Sequence, residues 1–334
     1  MIKNAKAVGK EISKYWRKLY AKQPHQPGHL EARNECLDLL RQGNQVLPPT
    51  AERCGAAIKH AEVRDVCNHL PTGKSSGPDR IPNKFYKVLS KYIAPILTKV
   101  YNECHATGSF PDDFASGWVT TMYKKNARSD PRNYRPITLL NGDYKILMRI
   151  LAIRMNEAVR QFVSPQQNGF TPDSFLPENI MLLKLIQAYL DNEDSEAADE
   201  AFFLFLDMEK AFDRCSWEFL LDALPAVGFG PDFIAYIKLM YSETRPPNRT
   251  LLINGYLADP FPITAGVAQG CPLSPLLFLL ITEPLTRLFQ KDTQLKGVTI
   301  DGIRHLISQY ADDTTLILQR TDADRAQALL KKWE

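Results

Sequence analysis

Six consecutive residues, Ala201-Phe202-Phe203-Leu204-Phe205-Leu206, carry no polar side chain, and the run ends abruptly on Asp207. So short an apolar stretch, with neither alternating face polar, predicts a buried strand. A carboxylate at the end of such a strand is held rigidly yet reaches solvent and a cation. A second pair of short apolar segments, His305 to Gln309 and Thr314 to Leu318, flanks Tyr310-Ala311-Asp312-Asp313. Adjacent carboxylates in a tight turn repel unless a positive group offsets them. If the strand and the hairpin lie side by side, Asp207 meets Asp312 and Asp313 at one sheet end. Three carboxylates can hold two Mg²⁺ ions roughly 3.5–4 Å apart, clamping the attacking and leaving oxygens of an in-line displacement. Mg²⁺ takes oxygen ligands and bridges phosphates, which suits that task. Each motif alone has a plainer use: Asp207 as a helix cap, and the Asp pair as an ordinary β-turn.

The rest of the chain alternates helical and extended patterns. Ile12, Tyr15, Trp16 and Leu19 recur at helical spacing, as do Cys36, Leu39 and Leu40, with a polar, Pro/Gly-bearing link from Gln23 to His29 between them. No chemistry is visible in residues 1–70, which read as packing or linker sequence. After the loop Gly73 to Asp79, helices run to about Gly108 and include Phe85, Leu89, Ile93, Ile96 and Val100. A strand is predicted near Trp118 to Tyr123. A helix over about Asp143 to Gln161 carries Ile146, Leu147, Ile150, Leu151 and Met155 on its apolar side. Asp191 to Glu200 holds six acids and no Lys or Arg, and reads as a solvated loop. Thr250 to Ile253 followed by Asn254-Gly255 reads as a strand and hairpin turn. Helices are also expected over 274–290 and 323–333, the second packing on Ala326, Leu329, Leu330 and Trp333 with Lys331 and Lys332 outside.

Composition narrows the class less than these patterns do. The chain has 334 residues and a net charge of +3, too weak a global signal to argue for a nucleic-acid partner. Locally it is different. From Trp118 to Arg160 there are nine Lys and Arg against three acids, a net +6 that suits phosphate. Arg149, Arg154 and Arg160 are read as a solvated helix face within that segment. Six scattered cysteines without a Cys-x-x-Cys pair argue against a zinc site or disulfide framework and fit a reducing interior. The start, Met1 to Lys6, leads into no apolar stretch, and Leu276 to Ile281, as long as any apolar run in the sequence, is too short to span a bilayer.

Taken in order, Phe205-Leu206-Asp207-x-Glu209-Lys210-Ala211-Phe212-Asp213, then Gln269-Gly270-Cys271-Pro272-Leu273-Ser274-Pro275, then Tyr310-Ala311-Asp312-Asp313 resemble the polymerase motifs of reverse transcriptases from non-LTR (LINE-type) retrotransposons. Upstream, Gly73-Lys74-Ser75-x-Gly77-Pro78-Asp79, Asn133-Tyr134-Arg135-Pro136-Ile137, Leu139-Leu140-Asn141 and Asp143-Tyr144-Lys145-Ile146-Leu147 match the fingers of that family. The resemblance runs from about residue 65 to the end.

What it implies is an α+β fold, the right-hand polymerase. Residues 1–70 would be a helical linker or N-terminal extension. Residues 71–334 would be the reverse transcriptase domain: fingers over about 71–200, then palm over about 201–334, an antiparallel sheet backed by helices. The chain would stop before the thumb, and no endonuclease-like region precedes residue 70. The implied activity is RNA-directed DNA synthesis. A primer 3′-OH attacks the α-phosphate of a dNTP, with two Mg²⁺ ions (or Mn²⁺) held by Asp207, Asp312 and Asp313. RNA template, DNA primer and dNTPs are the implied partners, with no membrane and an intracellular place in nucleus or cytoplasm. Phe212 matches the position beneath the incoming sugar, where its ring collides with a ribose 2′-OH; its plain alternative is packing. Gln269 and Gly270 match the loop against nucleotide and template, Gly270 letting backbone approach closely. Arg135 matches the triphosphate-binding arginine, with Lys124 (or Lys125) as a second contact. The alternative to an active enzyme is a catalytically inactive, nucleic-acid-binding remnant of such an element. An RNA-dependent RNA polymerase is disfavoured by Phe212 and by Ala311. Two departures stand out: Ala268, where an Arg is common, and Thr171-Pro172-Asp173-Ser174, where a Pro-Gly-Arg-like turn is usual.

Overall fold

The computed structural model describes residues 5–24, 27–172, 174–191 and 200–333. The predicted acidic loop therefore lies almost wholly outside the described residues, as does Asp173. Four helices come first: α1 (Ala5–Leu19), α2 (His29–Gln42), α3 (Pro48–Gly55) and α4 (His60–Asn68). Their apolar stripes are buried. Trp16, Leu40, Cys54, Val63 and Cys67 enter the same core as the helices that follow. The helices α5 (Asn83–Val88) and α6 (Ser90–Thr107) continue the chain. The buried stripe here is Tyr86, Ala94, Leu97, Tyr101 and Cys104. Two of the apolar residues singled out from the sequence, Phe85 and Ile96, are instead 44% and 63% exposed. The break between the two helices at Leu89 resets the helical phase, so one apolar stripe does not run through both.

Strands β1 (Gly117–Tyr123) and β2 (Tyr134–Leu140) form an antiparallel pair. They lead into α7 (Gly142–Phe162), whose Ile146, Leu147, Ile150, Leu151 and Met155 are all buried, as the periodicity predicts. Then come α8 (Leu176–Leu190), β3 (Ala201–Leu206), α9 (Trp217–Ala226), α10 (Pro231–Met240), β4 (Asn248–Ile253), β5 (Tyr256–Leu257) and β6 (Phe261–Pro262). Asn254 and Gly255, with φ of 49° and 79°, make the tight turn between β4 and β5; two consecutive positive φ values are what a two-residue hairpin needs. The chain closes with α11 (Ser274–Lys291), β7 (Val298–Ile300), β8 (Ile303–His305), β9 (Ile307–Tyr310), β10 (Asp313–Gln319) and α12 (Ala323–Trp333).

Three sheets are present among the described residues. β2, β1, β4 and β5 lie in that order, with β6 also on β4, and β1 runs parallel to β4. β3, β10 and β9 form an antiparallel sheet, and β7 pairs with β8. The fold is thus mixed, with antiparallel and parallel pairing. Two expectations need correction. The arm expected to start at His305 is split: His305 pairs with Val298 in the small sheet, and β9 begins two residues later. And β3 is not buried on both faces. Among the described residues it is an edge strand, hydrogen-bonded only to β10. Phe202, Leu204 and Leu206 pack on Leu316, Leu318 and Phe289, and Phe203 packs near Ile186 and Val298, but Phe205 stays 70% exposed.

At the end, Ala326 and Leu329 of α12 are buried as expected. Lys332 is exposed but paired with Glu35 of α2. The cysteines described are all free, and five of the six are buried. No described helix is long and apolar enough to cross a membrane.

Candidate active site

The register of β10 against β3 puts Thr314 opposite Leu206. One more step sets Asp207, the first residue past β3, opposite Asp313. Asp313 pairs with Tyr310, so Ala311 and Asp312 form the two-residue tip of the β9–β10 hairpin. The three aspartates of the sequence reading therefore share one sheet end. Asp312 is half-buried, and burial raises its carboxyl above the usual aspartate value. Asp313 and Asp207 push it the same way, while Lys124 pulls it back. Among the described residues, no three His, Cys, Asp or Glu side chains stand close enough to hold a metal ion as they are. The donor chemistry nonetheless fits a hard divalent cation: three carboxylates offer only oxygen, and their mutual repulsion favours a positive guest. Asp207 and Asp313 are exposed, so both can turn towards Asp312.

The hairpin tip is held by a residue that the sequence reading passed over. Ala311 has a φ of 57°, a left-handed conformation usually left to glycine and worth roughly 1–3 kcal/mol of strain. Buried Gln167 grips it on both sides: its Oε1 accepts from Ala311 N at 2.8 Å, and its Nε2 donates to Ala311 O at 3.1 Å. The same Oε1 accepts from Gly169 N at 2.8 Å. Gln167 and Gln309 form a parallel bridge, so the segment runs alongside β9 like a short strand. Gly169 must be glycine, because a Cβ there would lie 2.0 Å from Ala311 N. Replacing Gln167 with Ala removes both grips and leaves buried backbone groups unpaired, a loss of about 1–3 kcal/mol. Thermal denaturation should show a midpoint lower by a few degrees; an unchanged midpoint would mean that the clamp is idle.

Phe212 lies on the short 3₁₀ turn Ala211–Arg214 after Asp207. Its ring stacks on Phe278 of α11 at 4.7 Å and 13°, and Phe170 meets it edge-on at 5.9 Å. It is only half-buried, so packing fixes the ring and still leaves part of it facing outward. Gln269 is also half-buried, and its Nε2 donates to Asp213 Oδ2 at 3.2 Å. Its carbonyl accepts from Thr138 N of β2 at 2.7 Å. Gly270 has a φ of 117°, and a Cβ there would lie 2.5 Å from Thr138 O. The close backbone approach that this glycine permits in the structure is to β2.

Arg135 on β2 and Lys124 just after β1 are both exposed. They converge on Lys210, a third cation, which the sequence reading quoted in its motif but gave no role. Lys210 is half-buried, and burial holds its ammonium below the usual lysine value. Asp213 and Glu209 oppose that shift, and Lys124 and Arg135 add to it. Its Nζ donates to Tyr134 O at 2.6 Å and lies 5.2 Å from the ring centre of Trp16. Lys210 stands inside the same motif as Asp207, three residues on, which is the signal that could have found it. The other arginines divide. Arg154 is not on a solvated face: it donates to Glu62 and to the carbonyls of Cys54, Ala56 and Ala57, clamping α7 to α3 and α4. Arg132 pairs with Asp130, and Arg128 lies over the Tyr123 ring.

Residues 122–334 match the family model described as reverse transcriptase (RNA-dependent DNA polymerase). Over 329 residues, 98% of this chain, it is 28% identical to the transposon TX1 uncharacterized 149 kDa protein of Xenopus laevis, of which it covers 24%. It is 28% identical over 78% of its length to the RNA-directed DNA polymerase from mobile element jockey of Drosophila melanogaster, covering 27% of that protein. A 25% identity over 80% of the chain links it to the Pol polyprotein of the type-2 retrotransposable element R2DM of the same fly, with 24% of that protein covered. The chain thus spans about a quarter of the length of these relatives. With the motif order, the carboxylates at one sheet end and the match over residues 122–334, this chain belongs to the reverse transcriptase (RNA-dependent DNA polymerase) family, on its non-LTR, LINE-type side.

Proposed function

We propose that this chain carries the fingers and palm of an RNA-directed DNA polymerase that extends a DNA primer on an RNA template. The observation that carries the reading is the meeting of Asp207 with the Asp312–Asp313 tip at the end of one antiparallel sheet. In the right-hand description, the three-stranded sheet is the palm's catalytic platform, and residues of about 71–200 form the fingers. Asp207, Asp312 and Asp313 are the ligands for two divalent cations, Mg²⁺ or Mn²⁺. Such cations, when bound, polarise the primer 3′-hydroxyl and neutralise charge at the α-phosphate. The protein's own share is positioning. Lys124, Arg135 and Lys210 draw the triphosphate to the edge of β1 and β2. Gln269 and Gly270 border the nucleotide on the opposite side of the turn that holds Asp213. Phe212, braced by Phe278 and Phe170, presents its ring where a 2′-hydroxyl would stand.

The direct test is extension of oligo(dT) on poly(rA) with dTTP and Mg²⁺. Template-length-dependent DNA products are expected, and their absence from a folded protein would remove the reading. The same assay tests the gate. Phe212→Val shortens the side chain while Phe278 and Phe170 keep the pocket lined, so relative use of rUTP should rise by roughly tenfold or more. An unchanged preference in an active variant would leave Phe212 a packing residue alone.

A further inference from the structure

The proposed catalytic groups leave a buried carboxylate of the Asp207 motif without a task. Asp213 is fully buried, six residues past Asp207. Two neutral side chains hold it from opposite ends. Tyr20 Oη, from the chain just beyond α1, donates to Oδ1 at 2.9 Å, and Gln269 Nε2 donates to Oδ2 at 3.2 Å. We infer that Asp213 is a positioning residue for the nucleotide pocket. Anchored by Tyr20, it locks the Gln269 amide with its nitrogen inward and its carbonyl oxygen turned to the cleft. This rests on the proposed place of Gln269 beside the nucleotide.

The chemistry of the donors makes the lock directional. An ionised carboxylate can only accept, so the Gln269 amide must offer its NH₂ and keep Oε1 away from Asp213. Tyr20 is itself rigid. It is buried, its ring stacks against Trp16 and Phe261, and its carbonyl accepts from Thr264 N and Ala265 N on the approach to Gln269. Gly266 lets that approach pass under Asp213, since a Cβ there would lie 2.6 Å from Asp213 O. The first helix thereby reaches the nucleotide pocket through one carboxylate.

Burial pushes the Asp213 carboxyl up to about 7, against the pull of Tyr20, Lys210 and Gln269. Tyr15 of α1, Glu209 on the turn before it, Cys215 just beyond and Arg249 of β4 complete the titratable surroundings. Below that pH the carboxyl carries a proton and offers one acceptor fewer, so the lock loosens as pH falls. Tyr20→Phe and Gln269→Ala each remove a donor that favours the carboxylate, so each should move the midpoint higher.

The experiment has two arms on the full chain. In the first, the ¹³C signal of the Asp213 carboxyl is followed against pH. A midpoint near 7, moving up in both Tyr20→Phe and Gln269→Ala, supports the lock. A midpoint that neither variant moves overturns it whether or not the protein is active. In the second, KM for dTTP is measured on poly(rA)–oligo(dT). With Tyr20 still donating to the amide oxygen, Asp213→Asn turns an NH₂ towards Gln269 and makes its amide flip. Gln269→Glu sets two carboxylates face to face. Each should raise KM roughly tenfold, the scale of one hydrogen bond, with little change in kcat. The double variant Asp213→Asn/Gln269→Glu restores donor to acceptor with an oxygen outward, so it should recover most of the loss. A double variant no better than the worse single one overturns the inference, because a merely structural role gives no such reciprocal rescue. No extension by wild type at any pH counts against the polymerase reading, and the lock is then decided by the carboxyl titration.

Discussion

Asp207→Asn and Asp312→Asn should each reduce primer extension by on the order of a thousandfold if, as proposed, each removes a ligand charge worth several kcal/mol to the transition state. Asn keeps the shape of the side chain and most of its hydrogen bonds, so the loss is one of charge. The fold should survive, and Asp312 gives a sharper form of that expectation. Burial and the neighbouring Asp313 and Asp207 all disfavour its ionised form. A carboxyl whose pKa is raised by folding carries its charge at the expense of the folded state at neutral pH. Asp312→Asn should therefore denature at the same temperature as wild type or slightly above it, while losing its activity. Extension rates and thermal midpoints measured on the same preparations decide the matter. An active Asp312→Asn protein would end the metal-ligand assignment.

The largest effect on stability should come from Arg287→Met. Arg287 lies in α11, next to buried Glu283, and the pair meets at 2.7 Å. The guanidinium also donates to the carbonyls of Leu39 and Leu40 in α2, to Asn44 just beyond it, and to Phe162 at the end of α7. Gly43 makes room for it, since a Cβ there would lie 2.0 Å from Nη1. One side chain thus ties three helices together. Glu283 in turn accepts from Ser164 N and Oγ. Removing the arginine leaves a buried carboxylate without its cation, a situation that costs about 3–5 kcal/mol. Burial already raises the Glu283 carboxyl, and Arg287 and Ser164 pull it down. Without Arg287 it rises further, so the variant should be least impaired in acid, where Glu283 is protonated, and worst above neutrality. Urea denaturation at two pH values measures this. Glu283→Gln added to Arg287→Met should recover much of the loss, and failure to do so would show that the carbonyl contacts matter more than the charge.

The features legible in the sequence were those whose causes are local. The short unbroken apolar run of residues 201–206 and its abrupt end on Asp207 marked β3 and the start of the site. The 3.6-residue period marked α7, and Asn254-Gly255 marked the β4–β5 turn. What escaped depended on partners far along the chain. Phe205 is exposed because, among the described residues, the packing that covers Phe203 on the same face does not reach it, which its own composition does not reveal. Arg154 reads as one more cation on a helix until Glu62 and three carbonyls of α3 and its neighbours are placed beside it. Gln167 and Tyr20 carry no pattern at all. Each matters through a single well-aimed group, one holding Ala311 and the other Asp213. The parallel pairing of β1 with β4 joins residues 117–120 to 249–252, and no window of sequence contains both.

That distance bears on how the protein is made. The anchors of α1 are the carbonyls of Asp259 and Pro260 for Arg17, the amides of Thr264 and Ala265 for Tyr20, and Asp213. At a ribosomal pace of about 5–20 residues per second, the segment holding residues 259–265 emerges roughly 10–50 s after α1. A lone helix of that length is marginal in water, and its stripe of Ile12, Tyr15, Trp16 and Leu19 has nowhere to dock in the meantime. That stripe thus stays uncovered until its partners emerge, which makes it a natural client for chaperones acting at the tunnel exit. Docking of α1 must then wait for residues 213–265, although α1 precedes all of them in the chain.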